Sequence, residues 1–122
     1  MYNDKANQIS KVVKNYLDGV YYGNVKLLEN SFTENAFLFG DIKGDSYKKS
    51  LEEYLEGVKA RKSPEELEEP YKMEILGIEV MGNVGVAKVH LPMLGFNYYD
   101  FLSLCLVDGE WKIVNKVFTH VE

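Results

Sequence analysis

Apolar positions recur along the chain at two periods, and the change from one to the other divides it. Ile9, Val12, Val13, Tyr16, Leu17 and Val20 follow the spacing of one helix face, which predicts an amphipathic helix from about Asp4 to a stop at Gly23. Tyr21 and Tyr22 fill its last turn. Gly23-Asn24 offers a left-handed exit into a second, short helix over residues 25–31, anchored by Leu28 and Phe32. The apolar run Ala36-Phe37-Leu38-Phe39-Gly40 is too short for a helix and reads as a buried strand, broken off by Gly44-Asp45. Ser50-Leu51-Glu52-Glu53 fits the capping box of a third helix. Its buried stripe is Leu51, Tyr54, Leu55 and Val58, and Ser63-Pro64 ends it.

Beyond Pro70 the period falls to two. Residues 71–80 and 84–91 read as strands about Gly82-Asn83, with Gly77 marking a bulge or bend in the first. Ala87, Val89 and Leu91 give the second an apolar face, and Pro92 to Asn97 reads as a loop. Two further strands, over residues 98–118, fold about Asp108-Gly109, a pair suited to a turn that needs φ > 0 twice.

Unbroken pairing from that turn sets Leu106 against Trp111, Leu104 against Ile113, Leu102 against Asn115 and Asp100 against Val117. One face is then Asp100, Leu102, Leu104, Leu106, Trp111, Ile113, Asn115 and Val117. The other carries Tyr99, Phe101, Ser103, Cys105, Lys112, Val114, Lys116 and Phe118 and is still too apolar to be an ordinary solvated face. Both faces demand a cover: helices on one, and a second subunit on the convex other. Lys116 points outward in the unbroken hairpin, whereas a single bulge would bring it and Phe118 to the side of Asp100. Asn115 either bonds a neighbouring backbone or faces a ligand.

Helix, helix, short strand, helix and four long strands is an α+β order. It predicts one domain over 1–122: a cone in which three N-terminal helices pack on a curved, mainly antiparallel sheet, with a pocket between. Composition narrows the function. The formal net charge of −5 and the lack of a basic cluster argue against nucleic acid. The acidic run 65–69 reads as a solvated loop or short helix. A single cysteine, Cys105, forbids an internal disulfide and suits a reducing compartment, and no signal core or membrane-length apolar run is present, so the expected location is cytoplasmic. His90 and His120 have no partners at metal-ligand spacing, and neither a metal site nor a cofactor is expected. No Ser/His/Asp or Cys/His arrangement stands out either.

The order of elements, Tyr16, the exit Tyr22-Gly23-Asn24-Val25 and the terminal Asp108-Gly109-Glu110-Trp111-Lys112-Ile113 resemble the nuclear-transport-factor-2-like superfamily. Tyr16-Leu17-Asp18-Gly19, Asp100-Phe101-Leu102-Ser103-Leu104 and Asn115-Lys116-Val117-Phe118 resemble, more narrowly, its putative lumazine-binding, SnoaL-like family. That resemblance implies a small-molecule-binding domain with an apolar pocket, taking a small apolar or aromatic ligand. The alternative it implies is a cofactor-independent cyclase, isomerase or dehydratase with Tyr16 and Asp100 as acid and base. Ketosteroid isomerase, on the same scaffold, carries a helix tyrosine, matched by Tyr16, and a carboxylate base whose position falls on Gly40, with Asp41 facing the other way. No complete catalytic constellation results. The candidate pocket residues are Tyr16, Phe39 (or Phe37), Tyr54, Asp100, Leu102, Asn115, Lys116 and Phe118, in a homodimer joined through the convex sheet face.

Overall fold

The structure, a computed structural model, describes residues 2–122. Helix α1 spans Tyr2–Tyr22 and α2 spans Val25–Ser31. The short break between them is made by Gly23, at φ +66, and by Asn24, whose side chain caps α2 by accepting from Leu27 N. Strand β1 (Phe32–Ile42) and strand β2 (Asp45–Ser50) form a hairpin. Helix α3 (Leu51–Ala60) follows directly, its capping box formed in both directions between Ser50 and Glu53. Strands β3 (Glu74–Met81), β4 (Val84–Met93), β5 (Phe96–Val107) and β6 (Glu110–His120) complete the chain.

The six strands make one mixed sheet in the order β2-β1-β6-β5-β4-β3. Strand β1 runs parallel to β6, and every other pairing is antiparallel. The three helices are therefore not one N-terminal block, because α3 enters only after the first hairpin.

Two elements differ from the sequence pattern. The break expected at Gly44-Asp45 is a two-residue turn, with Lys43 at φ +54 and Gly44 at φ +91, and it leads into β2. That strand escapes a hydrophobic pattern because Asp-Ser-Tyr-Lys-Lys-Ser is a polar edge strand, which needs only Tyr47 on the covered side. The loop expected over 92–97 is a tight turn at Leu94-Gly95, both with positive φ, so that β4 and β5 run on to Met93 and from Phe96.

The core lies between the helices and one face of the sheet. Ile9, Val13, Tyr16, Leu17 and Val20 on α1 are all buried against Ala87, Val89 and Leu91 of β4, Leu102 and Leu104 of β5, and Trp111 and Ile113 of β6. Gly77 sits in the expected bulge, where the β3–β4 register shifts between Ile75 and Gly77.

The second bulge decides the site. The β5–β6 pairing runs as expected from Val107↔Glu110 to Leu104↔Ile113, then resumes at Ser103↔Asn115. Val114 is the extra residue. Beyond it, Leu102 pairs with Lys116 and Asp100 with Phe118, which brings Lys116 and Phe118 onto the covered face and turns Asn115 and Val117 outward. The unbroken register had placed Asn115 and Val117 inside. Leu106, also expected inside, is exposed at the hairpin end.

Candidate functional site

Both layers deliver side chains to one place between the helices and the sheet. Tyr16 comes from the middle of α1, Tyr54 from α3, Asp100 from β5, and Lys116 and Phe118 from β6. They line a cavity of about 60 Å³ together with Ile42, Tyr47, Arg61, Leu91, Met93 and Tyr98. That volume gives room for about four waters or a ligand of comparable size, since one water needs roughly 10–15 Å³. A larger groove of about 590 Å³ lies between α2 and α3, but its polar lining is Glu29, Glu34, Glu52, Glu56 and Lys59, all solvated. Only the smaller cavity has buried ionisable groups in its wall.

At its floor, Tyr16 donates its hydroxyl hydrogen to Asp100 Oδ2 at 2.5 Å. Lys116 Nζ stands 3.8 Å from the same oxygen. That separation is an ion-pair distance, longer than an ordinary hydrogen bond. Lys116 is also enclosed by rings, its Nζ lying 4.6 Å from the centroid of Tyr54, 4.8 Å from Phe118 and 5.3 Å from Tyr16.

Burial dominates the electrostatics. Asp100 has 2% of its surface exposed. Removal from water raises its carboxyl above the usual range, although Lys116 and the Tyr16 hydroxyl both pull the other way. The Tyr16 phenol is held well above its ordinary value, first by burial and then by the Asp100 charge. Tyr47 is pushed up to about 12, chiefly by burial. Tyr98 is raised for the same reason, with the Arg61 charge opposing. The floor therefore sets a carboxyl group whose proton is held more tightly than usual against a tyrosine hydroxyl, with Lys116 beside it.

Two polar groups in the wall are left over. The hydroxyl of Tyr54 and Nη2 of Arg61 are buried with no hydrogen-bond partner. Tyr54 as a whole is only 5% exposed. Arg61 is the residue at which α3 ends, and it continues the face of Tyr54 and Val58 by one more turn.

Of the residues singled out from sequence, Tyr16, Tyr54, Asp100, Lys116 and Phe118 meet at this cavity. Leu102 does not line it; it is fully buried in the core one pair further along β5. Phe39 and Phe37 belong to the outer face of the sheet, stacked on each other, because inward positions of β1 alternate through Ala36 and Leu38. Asn115 is outward as well, its amide donating to Phe37 O at 3.3 Å.

Arg61, Tyr47, Tyr98, Leu91 and Met93 were not singled out. The signal for Arg61 was its i+3 spacing from Val58, and that for Tyr98 its i−2 spacing from Asp100. Tyr47, the only aromatic in a polar run, gave none.

At Gly40, where the resemblance would put an isomerase base, the space of a side chain is taken by the ring of Phe118. Asp41 faces solvent and accepts from Gly44 N at 2.7 Å. Among the described residues no cluster of three or more His, Cys, Asp or Glu could hold a metal ion. No described helix is long and apolar enough to cross a membrane.

A family model described as "Putative lumazine-binding" matches residues 4–119. No curated protein matches the chain. Among solved structures, an NTF2-like protein of unknown function from Shewanella baltica superposes with a TM-score of 0.88 at 22% identity, covering 100% of this chain and 98% of that one. Another of the same description, from Silicibacter pomeroyi, gives 0.83 at 22% identity, covering 98% of each chain. A ketosteroid isomerase-like protein from Erwinia carotovora atroseptica gives 0.72 at 12% identity, covering 99% of each. At these identities the likeness establishes the NTF2-like fold and nothing about activity.

Proposed function

The chain belongs to the putative lumazine-binding family of NTF2-like proteins, and on that premise we propose that it is a small-molecule-binding domain whose ligand enters the cavity above Tyr16, Asp100 and Lys116. The observation that carries the reading is the pair of buried, unpartnered polar atoms on Tyr54 and Arg61 in that cavity's wall. Buried polar groups are nearly always satisfied, so two orphans on residues that line one cavity mark where a ligand or water would complete the set. The remaining wall is aromatic and aliphatic, as in most small-molecule sites, with few polar groups to orient the guest. The cavity is smaller than drug-sized pockets, which supports a compact guest in place of an extended one.

A catalytic reading rests on a different observation, the Tyr16–Asp100 hydrogen bond with its raised carboxyl. Asp100 would exchange a proton with a bound substrate, and Tyr16 would stabilise the charge that results. The absence of a carboxylate at Gly40 limits this to reactions needing one acid–base group. Binding and catalysis separate on turnover: in a metabolite-panel screen by native mass spectrometry, a binding domain returns its ligand unchanged.

The outer face of the sheet supports a two-fold dimer. Phe37, Phe39, Val86, Phe101 and Val117 are each about two-fifths exposed or more, and Phe37 and Phe39 on β1 adjoin Val117 on β6, Phe101 on β5 and Val86 on β4. An apolar patch of this extent is unusual on a monomer. We therefore include a second copy of the chain as the partner of that face.

A further inference from the structure

The charge of the cavity is opposite to that of the protein. The chain as a whole carries −5, yet the cavity is lined by Arg61, Lys116 and Asp100, two basic side chains against one carboxyl group. Asp100 Oδ2 is already engaged by Tyr16 and faced by Lys116. What remains without a hydrogen-bond partner in the wall is a pair of donors, Nη2 of Arg61 and the hydroxyl of Tyr54. Arg61 forms no ion pair among the described residues, although its charge is felt by Tyr47 and Tyr98.

From this arrangement we infer that the cavity binds a short-chain monocarboxylate, its carboxylate held by Arg61 and Tyr54 and its tail lying among the rings around Lys116. The inference deepens the small-molecule-binding reading and rests on it. Three features select this class. A guanidinium presents a planar fork that matches a carboxylate bidentately. Lys116 already faces Asp100, so Arg61 is the cation without an ion-pair partner among the described residues, and one negative charge balances it, whereas a phosphate dianion would leave a charge uncompensated in a buried site. The volume of about 60 Å³ admits a carboxylate with a short tail.

The test is calorimetric titration of the full chain with sodium acetate, propionate, butyrate and pyruvate, and with acetamide, propionamide and inorganic phosphate as controls. The carboxylates are expected to bind, with affinity varying with tail length, and the amides and phosphate to bind at least about tenfold more weakly. Arg61→Gln is expected to weaken carboxylate binding about tenfold to a hundredfold, the range for hydrogen bonds to charged groups. Arg61→Lys restores part of it by keeping the charge without the fork.

Tyr54→Phe separates binding from folding. It removes an unsatisfied hydroxyl, so the ligand-free melting temperature holds or rises while carboxylate affinity falls. Amides binding as well as carboxylates, or carboxylate affinity unchanged by both Arg61→Gln and Tyr54→Phe, would overturn the anion assignment and leave the pocket standing. Absence of binding by every probe, with a metabolite panel equally silent, would overturn the pocket as well.

Discussion

The ring of Phe118 fills the space above Gly40, where a Cβ would stand 2.5 Å from Phe118 Cε1. That ring is itself held edge-on by Tyr47 and Tyr98, at centroid distances of 4.9 and 5.9 Å, so it has little room to yield. Gly40→Ala would ordinarily stabilise a strand slightly by restricting the unfolded chain. Here overpacking wins, and the substitution is expected to cost about 1–3 kcal/mol in a denaturant titration. A neutral or stabilising result would show that Phe118 turns aside freely.

Asp100 and Lys116 are expected to be strongly coupled. Each is almost fully buried, and removing one leaves the other as an unpaired charge. Asp100→Ala and Lys116→Ala should each cost about 3–5 kcal/mol, with the double variant losing clearly less than the sum. Small additive losses would mean that water reaches both groups.

The raised carboxyl of Asp100 sets a pH dependence of definite sign. Its folded value lies above its ordinary value of 3.8, so the folded state holds the proton more tightly than the unfolded state. This contribution to stability is complete below 3.8 and is lost as pH rises through the higher folded value. Asp100→Asn abolishes the loss. Unfolding free energies measured from acid to neutral pH should therefore show the variant losing less stability with rising pH than the parent. Parallel curves would place Asp100 in an environment as polar as water.

Trp111 is 5% exposed, pairs with Leu106 and donates its indole N–H to Gln8 Oε1 at 2.8 Å. Trp111→Ala is expected to destabilise the fold by about 3–5 kcal/mol. A loss below about 1 kcal/mol would make the indole peripheral to the core.

The proposed dimer predicts a two-fold species in sedimentation at micromolar concentration. Phe101→Glu places a charge in the middle of the patch and should return the monomer with little change in monomer stability, because Phe101 is half exposed on the single chain. A parent chain that sediments as a monomer would remove the dimer.

Most of the architecture was legible in the sequence because it is written locally. The stripe Ile9–Val20, the cap at Ser50, the bulge at Gly77 and the turn at Asp108-Gly109 each depend on residues within a few turns of one another, and the structure has all of them. The polar edge strand β2 was not legible, since one inward aromatic sets no period. The site itself was decided by tertiary structure. Unbroken alternation turned Lys116 outward, and only the extra residue Val114, accommodated in β6 as it pairs with β5, carries Lys116 to Asp100 and hides Phe118 over Gly40. Tyr16 meets Asp100 across 84 residues of chain, and Arg61 reaches the same cavity from the end of a helix. Periodicity specifies which face a residue occupies within its own element. Which faces converge, and where a strand gives up its register to let them, depends on packing between elements far apart in the chain.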